Sequence, residues 1–383
     1  MSGIPAGGVE RTIHVRLDAI RENVGRFAEL VSPAEVMAVV KADAYGHGAI
    51  AVARAALEGG ASWLGVAHIA EALALRDAFI EAPLLAWLHT PHSPFEEAVA
   101  RRVRLGISSR EELDRAARAA VVTRRRATVH LKIDTGLGRN GSTPRGWHDL
   151  LVIAEQHERR GTIRVEGVFS HLSVAEDPAR DTETDCQREA FDDAVAAARE
   201  HGFGVRVAHL ANTAAALRRP DLHYDMVRVG IGTYGLSPLP SSAAAPFTLQ
   251  PALSFRTVLS AIKVLPAGHG ISYGARHTTS RPTRVGLVPV GYGDGLPRSA
   301  RGMSVTIGGV AHPILGVIAM DQFVIGLDGE DESSRPQPPR VGDEVVVIAH
   351  EGVNSADAWA AAAGTINYEI VTRLGMRAHR SYS

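Results

Sequence analysis

One cysteine, Cys186, is the whole thiol content of this 383-residue chain. No disulfide within the chain and no cysteine-built zinc site can come from a single thiol. Neither sign of charge dominates, since 41 Lys and Arg face 42 Asp and Glu for a formal net charge of -1. That balance argues against nucleic-acid or membrane-surface partners, both of which favour a basic excess. No apolar run approaches the roughly 20 residues of a membrane span. The N-terminal MSGIPAGGVER lacks the apolar centre of a signal peptide. Seventeen histidines are present without an HExxH pair, so no metal site is expected. What the chain does have is 45% hydrophobic residues and room for two or three domains. The expectation is a globular protein of the cytoplasm with a sizeable core.

Up to about residue 245 short apolar runs alternate with helical stretches. Candidate strands fall at 36–40, 63–67, 84–88, 103–107, 128–133, 165–170, 206–210 and 225–230, with helix-like segments such as 49–58, 71–78, 110–119 and 184–201 in the gaps. Eight strands with helices between them match the count of a (β/α)8 barrel, although an open doubly wound sheet shares the alternation. SPLPSSAAAPF at 237–247 reads as a linker. Beyond it the texture is β, with runs such as LSFRTVLSAIKVL, RVGLVPVGYG and DEVVVIA, an acidic Pro-rich loop DGEDESSRPQPPR, and helical pieces at 355–363 and 368–374. The expected fold is α/β: a barrel over 1–245 followed by a mainly β domain over 246–383. A first strand near 12–18 is a candidate partner of the second domain.

The most informative stretch is VVKADAYGHGA at 39–49, where an apolar strand ends on Lys41 and a polar turn leads into an alanine-rich helix. Strand C-termini are where (β/α) proteins place their chemistry. A desolvated lysine loses its proton and becomes a nucleophile toward carbonyl cofactors. By itself Lys41 also reads as a solvated turn lysine, as most lysines are. Its company changes the balance. Tyr45 follows the same strand, Lys132 and Arg139 close another, His171 a third, His209 and Asn212 a fourth, and Arg228, Gly230 and Ile231 the last. One such residue is ordinarily a cap or turn residue. Five groups at strand ends, with cations among them that need an anionic partner, imply an anionic ligand in a barrel mouth.

Three motif matches lack their context. GIGTYG at 230–235 fits the dinucleotide fingerprint, but Leu-Ser-Pro-Leu-Pro follows where a helix must start; its amides can still cradle one phosphate. GISYG at 270–274 fits a nucleophile elbow without the strand, turn and helix around it. GLGRNGS at 136–142 has Walker-like glycines and no Walker lysine.

Together, VVKADAYGHG, KIDTGLGRNG, FSHL, HLANTAA, VRVGIGTYG, ISYG, GYGDGLPR, AMDQ and TINYE resemble, in order and over nearly the whole chain, the landmarks of the alanine racemases, pyridoxal 5'-phosphate (PLP) enzymes of fold type III. The resemblance implies an isomerase that interconverts L- and D-alanine by two bases and supplies D-alanine for peptidoglycan. It also implies a homodimer with shared active sites. Lys41 would carry PLP as an internal aldimine and serve as one base. Tyr273, from the partner subunit, would be the other; taken alone it reads as a loop tyrosine. Tyr45, Asn212, Thr213, Gly230, Ile231 and Tyr368 would hold the cofactor, chiefly its phosphate. Arg139 would reach the cofactor's phenolic oxygen and the substrate, and His171 would pack on its ring. Lys132 resembles a position that is carbamylated in some members and supports that arginine. Met320 and Asp321, again from the partner, would meet the substrate carboxylate. Arg228 would face the pyridine nitrogen with His209 behind it. A guanidinium donates a hydrogen bond there without giving up a proton, which leaves the ring a weak electron sink.

Departures from the family pattern are few: Ala319 stands in place of a frequent cysteine, Val317 in place of an arginine found in some members, Thr213 in place of serine, and the chain ends MRAHRSYS. The Val317 change bears on substrate breadth, so a broader amino-acid racemase, acting on serine for example, is the alternative. A fold type III decarboxylase would need a cysteine in the second domain, whereas Cys186 lies in the barrel half. A PLP carrier would lack the β domain.

Overall fold

The structure, a computed structural model, describes residues 10–240, 246–328, 338–375 and 377–383. The first nine residues, part of the expected linker (241–245) and most of the acidic Pro-rich loop (329–337) lie outside the described residues. The chain divides into two compact units. One holds Asp18–Ala44 and Ala49–Gln250; the other holds the described residues up to Leu17 together with Tyr45–Gly48 and Pro251–Ser383.

After a first strand β1 (Arg11–Val15), the first-named unit is built on eight strands: β2 (Glu35–Val39), β3 (Trp63–Val66), β4 (Leu84–Ala86), β5 (Arg104–Ile107), β6 (Ala127–Lys132), β7 (Ile163–Phe169), β8 (Val207–His209) and β9 (Met226–Val229). They pair in parallel in the order β8-β7-β6-β5-β4-β3-β2-β9. The last strand therefore returns beside the first, with Met37 opposite Arg228. That return is what separates a barrel from an open doubly wound sheet, the ambiguity the alternation left. At the remaining seam, between β8 and β9, Asp225 N–H donates to Ala208 O at 3.1 Å, and Ala208 N–H donates to the Asp225 carboxylate at 2.8 Å. Helices cover the outer face of parallel strands, so the strands are apolar on both sides; all four residues of β3 are buried. The interior is filled by Met37, Trp63, Leu85, Val207 and Met226, with Trp87 against them.

The helices start where local chemistry provides a cap. Ser109 accepts from Glu112 N–H ahead of Arg110–Thr123, and Thr143 accepts from Gly146 N–H ahead of Pro144–Arg159, which carries proline in its first turn. Such caps fix where each strand-to-helix loop ends, and so where its side chains stand.

The second unit is a nine-stranded sheet. Its strands are β1 with β10 (Leu253–Val258), β11 (Ala261–Leu265), β14 (Thr283–Val288), β15 (Ser304–Ile307), β16 (Val310–Leu315), β17 (Phe323–Gly326), β18 (Glu344–Ile348) and β19 (His379–Tyr382). β1 lies between β10, antiparallel, and β19, parallel, with Ile13 opposite Phe255 and Arg380. A separate hairpin joins β12 (Gly270–Ile271) and β13 (His277–Thr278), with Ile271 opposite His277. Its tip carries Tyr273. Trp359, fully buried, donates its indole N–H to Val347 O at 2.9 Å and ties the helix Ala356–Ala363 to β18.

Candidate active site

In the barrel unit the site candidates stand at strand C-termini. Lys41 comes two residues after β2, Lys132 ends β6, His171 follows β7 by two residues, His209 ends β8 and Arg228 lies in β9. The turn after Lys41 is unexpected. Residues 42 to 45 have φ of 51° to 54°, a left-handed helical turn built without glycine. Such residues cost about 1–2 kcal/mol each. Among the bonds that hold the turn are Ala42 N–H to the Glu71 carboxylate at 2.7 Å, Ala44 N–H to Val40 O at 2.9 Å, and Ala49 N–H to the Asp43 carboxylate at 2.8 Å. Burial lowers the Lys41 ammonium below the usual lysine range; the Arg139 and Arg228 charges add to this, while Glu71 opposes it.

Arg228 is buried and makes five hydrogen-bond contacts, all to neutral acceptors. One terminal nitrogen donates to His209 O at 2.8 Å and His209 Nδ1 at 3.1 Å. The other donates to Ser170 O at 2.7 Å, Leu210 O at 3.0 Å and His171 Nδ1 at 3.1 Å. Its Nε–H has no partner among the described residues. Burial brings this guanidinium down to about 9, so it stays charged at neutral pH. The lone pairs of His209 Nδ1 and His171 Nδ1 face that cation. Burial first, and then Arg228, hold both imidazoles well below the usual histidine range.

Lys132, 6% exposed, lies with its ammonium 5.4 Å from the Phe169 ring centre. Burial, with Arg228 and Arg139 adding, brings it from 10.5 to about 8. Arg139 is exposed on a loop that folds back on β6. There Ser142 N–H donates to Lys132 O and Asp134 N–H to Ser142 O, both at 2.8 Å. Gly141 makes this possible: at φ +134° a Cβ there would lie 2.6 Å from Asp134 N.

The Gly-rich turn after β9 departs from expectation in detail. Gly230 N–H is taken by the Thr213 hydroxyl at 3.0 Å. The peptide N–H groups without an acceptor among the described residues are those of Ile231 and Gly232, together with the Thr213 hydroxyl proton. Gly232 was missed by motif reading. A Cβ there would meet Thr213 Cγ2 and the Phe27 ring at 2.7 Å, which is the signal its spacing carries. Asn212 is a cap: its side chain accepts from Ala215 N–H at 3.0 Å ahead of the helix Thr213–Arg218.

The other candidates belong to the second unit. Tyr45 is buried beside Tyr368, with ring centres 6.1 Å apart. Burial, then Tyr368, raise its phenol above the usual range. Tyr273 is 70% exposed, between Ser272 at φ 62° and Gly274 at φ 74°. Ser272 Oγ donates to Val317 O at 2.7 Å and holds the tip. A groove of about 460 Å³ there is lined by Ser272, Tyr273, Gly274, Ala319, Gln322 and Phe323, among others. Met320 and Asp321 are exposed, and their loop is wrapped by the Gly-rich turn after β14. Tyr292 N–H donates to Ala319 O at 3.0 Å and Gly293 N–H to Met320 O at 2.8 Å. Gly291 allows the approach, since its Cβ would lie 2.2 Å from Ala319 O. Arg377 joins Asp321 at 2.8 Å to the fully buried Asp294 at 3.4 Å, and Arg11 reaches Asp294 at 3.3 Å.

No group of three His, Cys, Asp or Glu that could hold a metal occurs among the described residues. Nor is any described helix long and apolar enough to cross a membrane.

Family models for the alanine racemase N-terminal and C-terminal domains match residues 15–238 and 252–382. The chain is 46% identical to an alanine racemase of Frankia casuarinae over 100% of its own length and 98% of that relative's. It is also 46% identical to one of Salinispora arenicola over 97% of each. Among solved structures, the alanine racemase of a D-cycloserine-producing Streptomyces lavendulae superimposes with a TM-score of 0.92 at 41% identity, covering 98% of this chain and 97% of that one. The alanine racemase of Bacillus anthracis with bound L-Ala-P gives 0.87 at 34%, covering 98% and 95%. With both domain models matched and relatives this similar along their whole length, the chain belongs to the alanine racemase family.

Proposed function

We propose that the barrel mouth holds PLP on Lys41, and that Lys41 and Tyr273 are the two bases of the reaction. The chain is a PLP-dependent racemase that interconverts L- and D-alanine by a two-base mechanism, the reaction that provides D-alanine for peptidoglycan. The broader-specificity alternative finds no support, since the relatives just described all carry the alanine name.

The observation that carries the cofactor assignment is the donor set. The free N–H groups of Ile231 and Gly232 and the Thr213 hydroxyl suit a phosphate, which accepts several hydrogen bonds at a turn of exposed amides. The family resemblance assigns Tyr45 and Tyr368 to the same role. The Arg228 Nε–H is the donor left over for the pyridine nitrogen. His171 and Arg139 complete the cofactor's surroundings, and Asn212 contributes by capping the helix that carries Thr213.

When bound, PLP withdraws electrons and makes the proton on the α-carbon of alanine removable. The chain's residues do the rest. Lys41 Nζ, its proton affinity lowered by burial and nearby cations, takes or returns that proton on one face. Tyr273 Oη does so on the other. Arg228 donates without surrendering a proton, which disfavours charge accumulation on the ring and keeps the chemistry at one carbon. Tyr273, Met320 and Asp321 are exposed on their own unit, as groups lent to a partner subunit would be, so a homodimer belongs to the proposal. So does a cytoplasmic setting, since a chain with one thiol needs no oxidising compartment.

The test is proton NMR of L-alanine in heavy water with PLP-loaded protein, followed by chiral analysis. Loss of the α-proton signal with appearance of D-alanine is expected, and Lys41→Ala is expected to abolish both. Substantial turnover by that variant would overturn the role of Lys41.

A further inference from the structure

Behind Arg228 the barrel interior holds polar groups that no motif names. His209 Nε2 lies 2.9 Å from His130 Nδ1, and His130 Nε2 lies 3.5 Å from Glu166 Oε2. His130 is fully buried and Glu166 is 3% exposed. Polar groups inside strands that are buried on both faces persist only when they are paired.

The direction of each bond can be read from the carboxylate end. Arg104 donates to Glu166 Oε2 at 2.6 Å and Arg164 to Oε1 at 3.0 Å, with Arg206 at 3.7 Å. Burial alone would raise this carboxyl, but the His130 and Arg104 bonds outweigh it and hold it down to about 2. Glu166 is therefore an acceptor only. His130 must then carry its proton on Nε2, which leaves Nδ1 as a lone pair. His209 must carry its proton on Nε2 to donate to that lone pair, which leaves its own Nδ1 to accept from Arg228. No other tautomer avoids placing two N–H groups head to head.

The ring positions are also built in. His209 stacks flat on Phe169 at 4.8 Å, and His130 stands edge-on to Trp63 at 5.5 Å. Gly167 in β7 lacks the Cβ that would lie 2.8 Å from His130 Nδ1.

We propose that Glu166 and His130 are positioning residues: they form the distal half of a one-way hydrogen-bond relay, Arg228 to His209 to His130 to Glu166, which fixes the tautomer of His209 and thereby the orientation and donor role of Arg228. This rests on the reading that Arg228 faces the cofactor. Every N–H in the relay points away from the mouth, and each lone pair is already filled. A proton from the reaction has no vacancy to enter, so the relay locks Arg228 rather than draining it.

The test is nitrogen-15 NMR of the histidine rings in PLP-loaded protein, with His130 and His209 assigned by single substitutions. Both rings are expected as neutral Nε2–H tautomers across the range in which an ordinary histidine titrates, about pH 5.5 to 7.5. In Glu166→Gln the one amide oxygen is claimed by the arginines and the NH2 turns to His130. Both tautomers are then expected to invert, and kcat to fall about tenfold or more, as on loss of other outer hydrogen-bond partners, with KM little changed. Glu166→Asp keeps an acceptor and is expected to rescue both readouts in part. A wild-type His209 protonated on Nδ1, or on both nitrogens, would overturn the relay even if no variant folds. So would unchanged tautomers in Glu166→Gln. Inverted tautomers with unchanged kcat would leave the relay standing and instead overturn the placement of Arg228 at the cofactor.

Discussion

Replacing Lys132 with methionine keeps the length of a buried side chain and removes its charge. The wild-type ammonium is desolvated and lies near two arginines, so its proton affinity falls from 10.5 to about 8. At about 1.4 kcal/mol per decade, this amounts to about 3 kcal/mol in favour of the neutral amine in the folded chain. The sign follows from linkage. Between about pH 8 and 10.5 the unfolded chain binds the proton that the folded one has lost, so wild-type stability rises with pH there. Below about 8 both states are charged and the full penalty applies. Lys132→Met is therefore expected to be more stable than wild type at pH 7, with a pH-dependent advantage of up to about 3 kcal/mol that fades by about pH 10.5. The assay is urea unfolding of both proteins, freed of cofactor, in CO2-free buffers from neutral to alkaline pH. A difference that does not vary with pH would refute the reasoning. A variant less stable than wild type at neutral pH would refute it as well.

Tyr273→Phe is expected to slow α-proton exchange mainly from the L-enantiomer in single-turnover deuterium exchange, with equal loss from both enantiomers counting against its assignment to one face. Asp294→Asn removes the buried carboxylate between Arg11 and Arg377. It is expected to cost about 2 kcal/mol in denaturant unfolding, below the full cost of breaking a buried pair because Arg377 is partly solvated. It is also expected to raise KM for alanine through Asp321 while leaving the cofactor absorbance unchanged. Gly48→Ala would bring a Cβ within 2.0 Å of Tyr382 Oη at φ +98°. A loss of about 2 kcal/mol or more is expected from such a forced conformation, and a melting temperature equal to wild type would contradict the packing.

Periodicity located the eight barrel strands to within two residues at each end because strands buried on both faces are apolar throughout, and a run such as WLGV admits little else. Closure was not legible, because it is a property of which strand returns beside β2. The positions at strand ends were legible as a group: Lys41, Lys132, His171, His209 and Arg228 all stand there. Their partners were not. His130 and Glu166 interrupt apolar strands, and a lone charge in a strand reads first as a solvated face. The usable signal was that both strands sit mid-order in a parallel sheet, where neither face meets water. Gly232 went unnamed beside Gly230 and Ile231 because spacing cannot say which amide is already bonded. The Met320 loop depends on Gly291 for close approach, which GYGDG hints at without naming the neighbour.

The left-handed turn after Lys41 is made of Ala, Asp, Ala and Tyr, residues that gain nothing from that conformation. Glycine at 42 or 44 would relieve local steric strain, and a search for heat resistance would select it. Yet glycine moves between left- and right-handed backbone at little cost, whereas alanine stays in the left-handed well only while the bonds of Ala42, Ala44 and Ala49 over-determine the turn. With the costlier residues at the point where Lys41 is set, the placement of that side chain depends on the bonds that hold the turn rather than on the backbone's own preference. A glycine-stabilised version would be a tougher protein with a blurrier reaction coordinate.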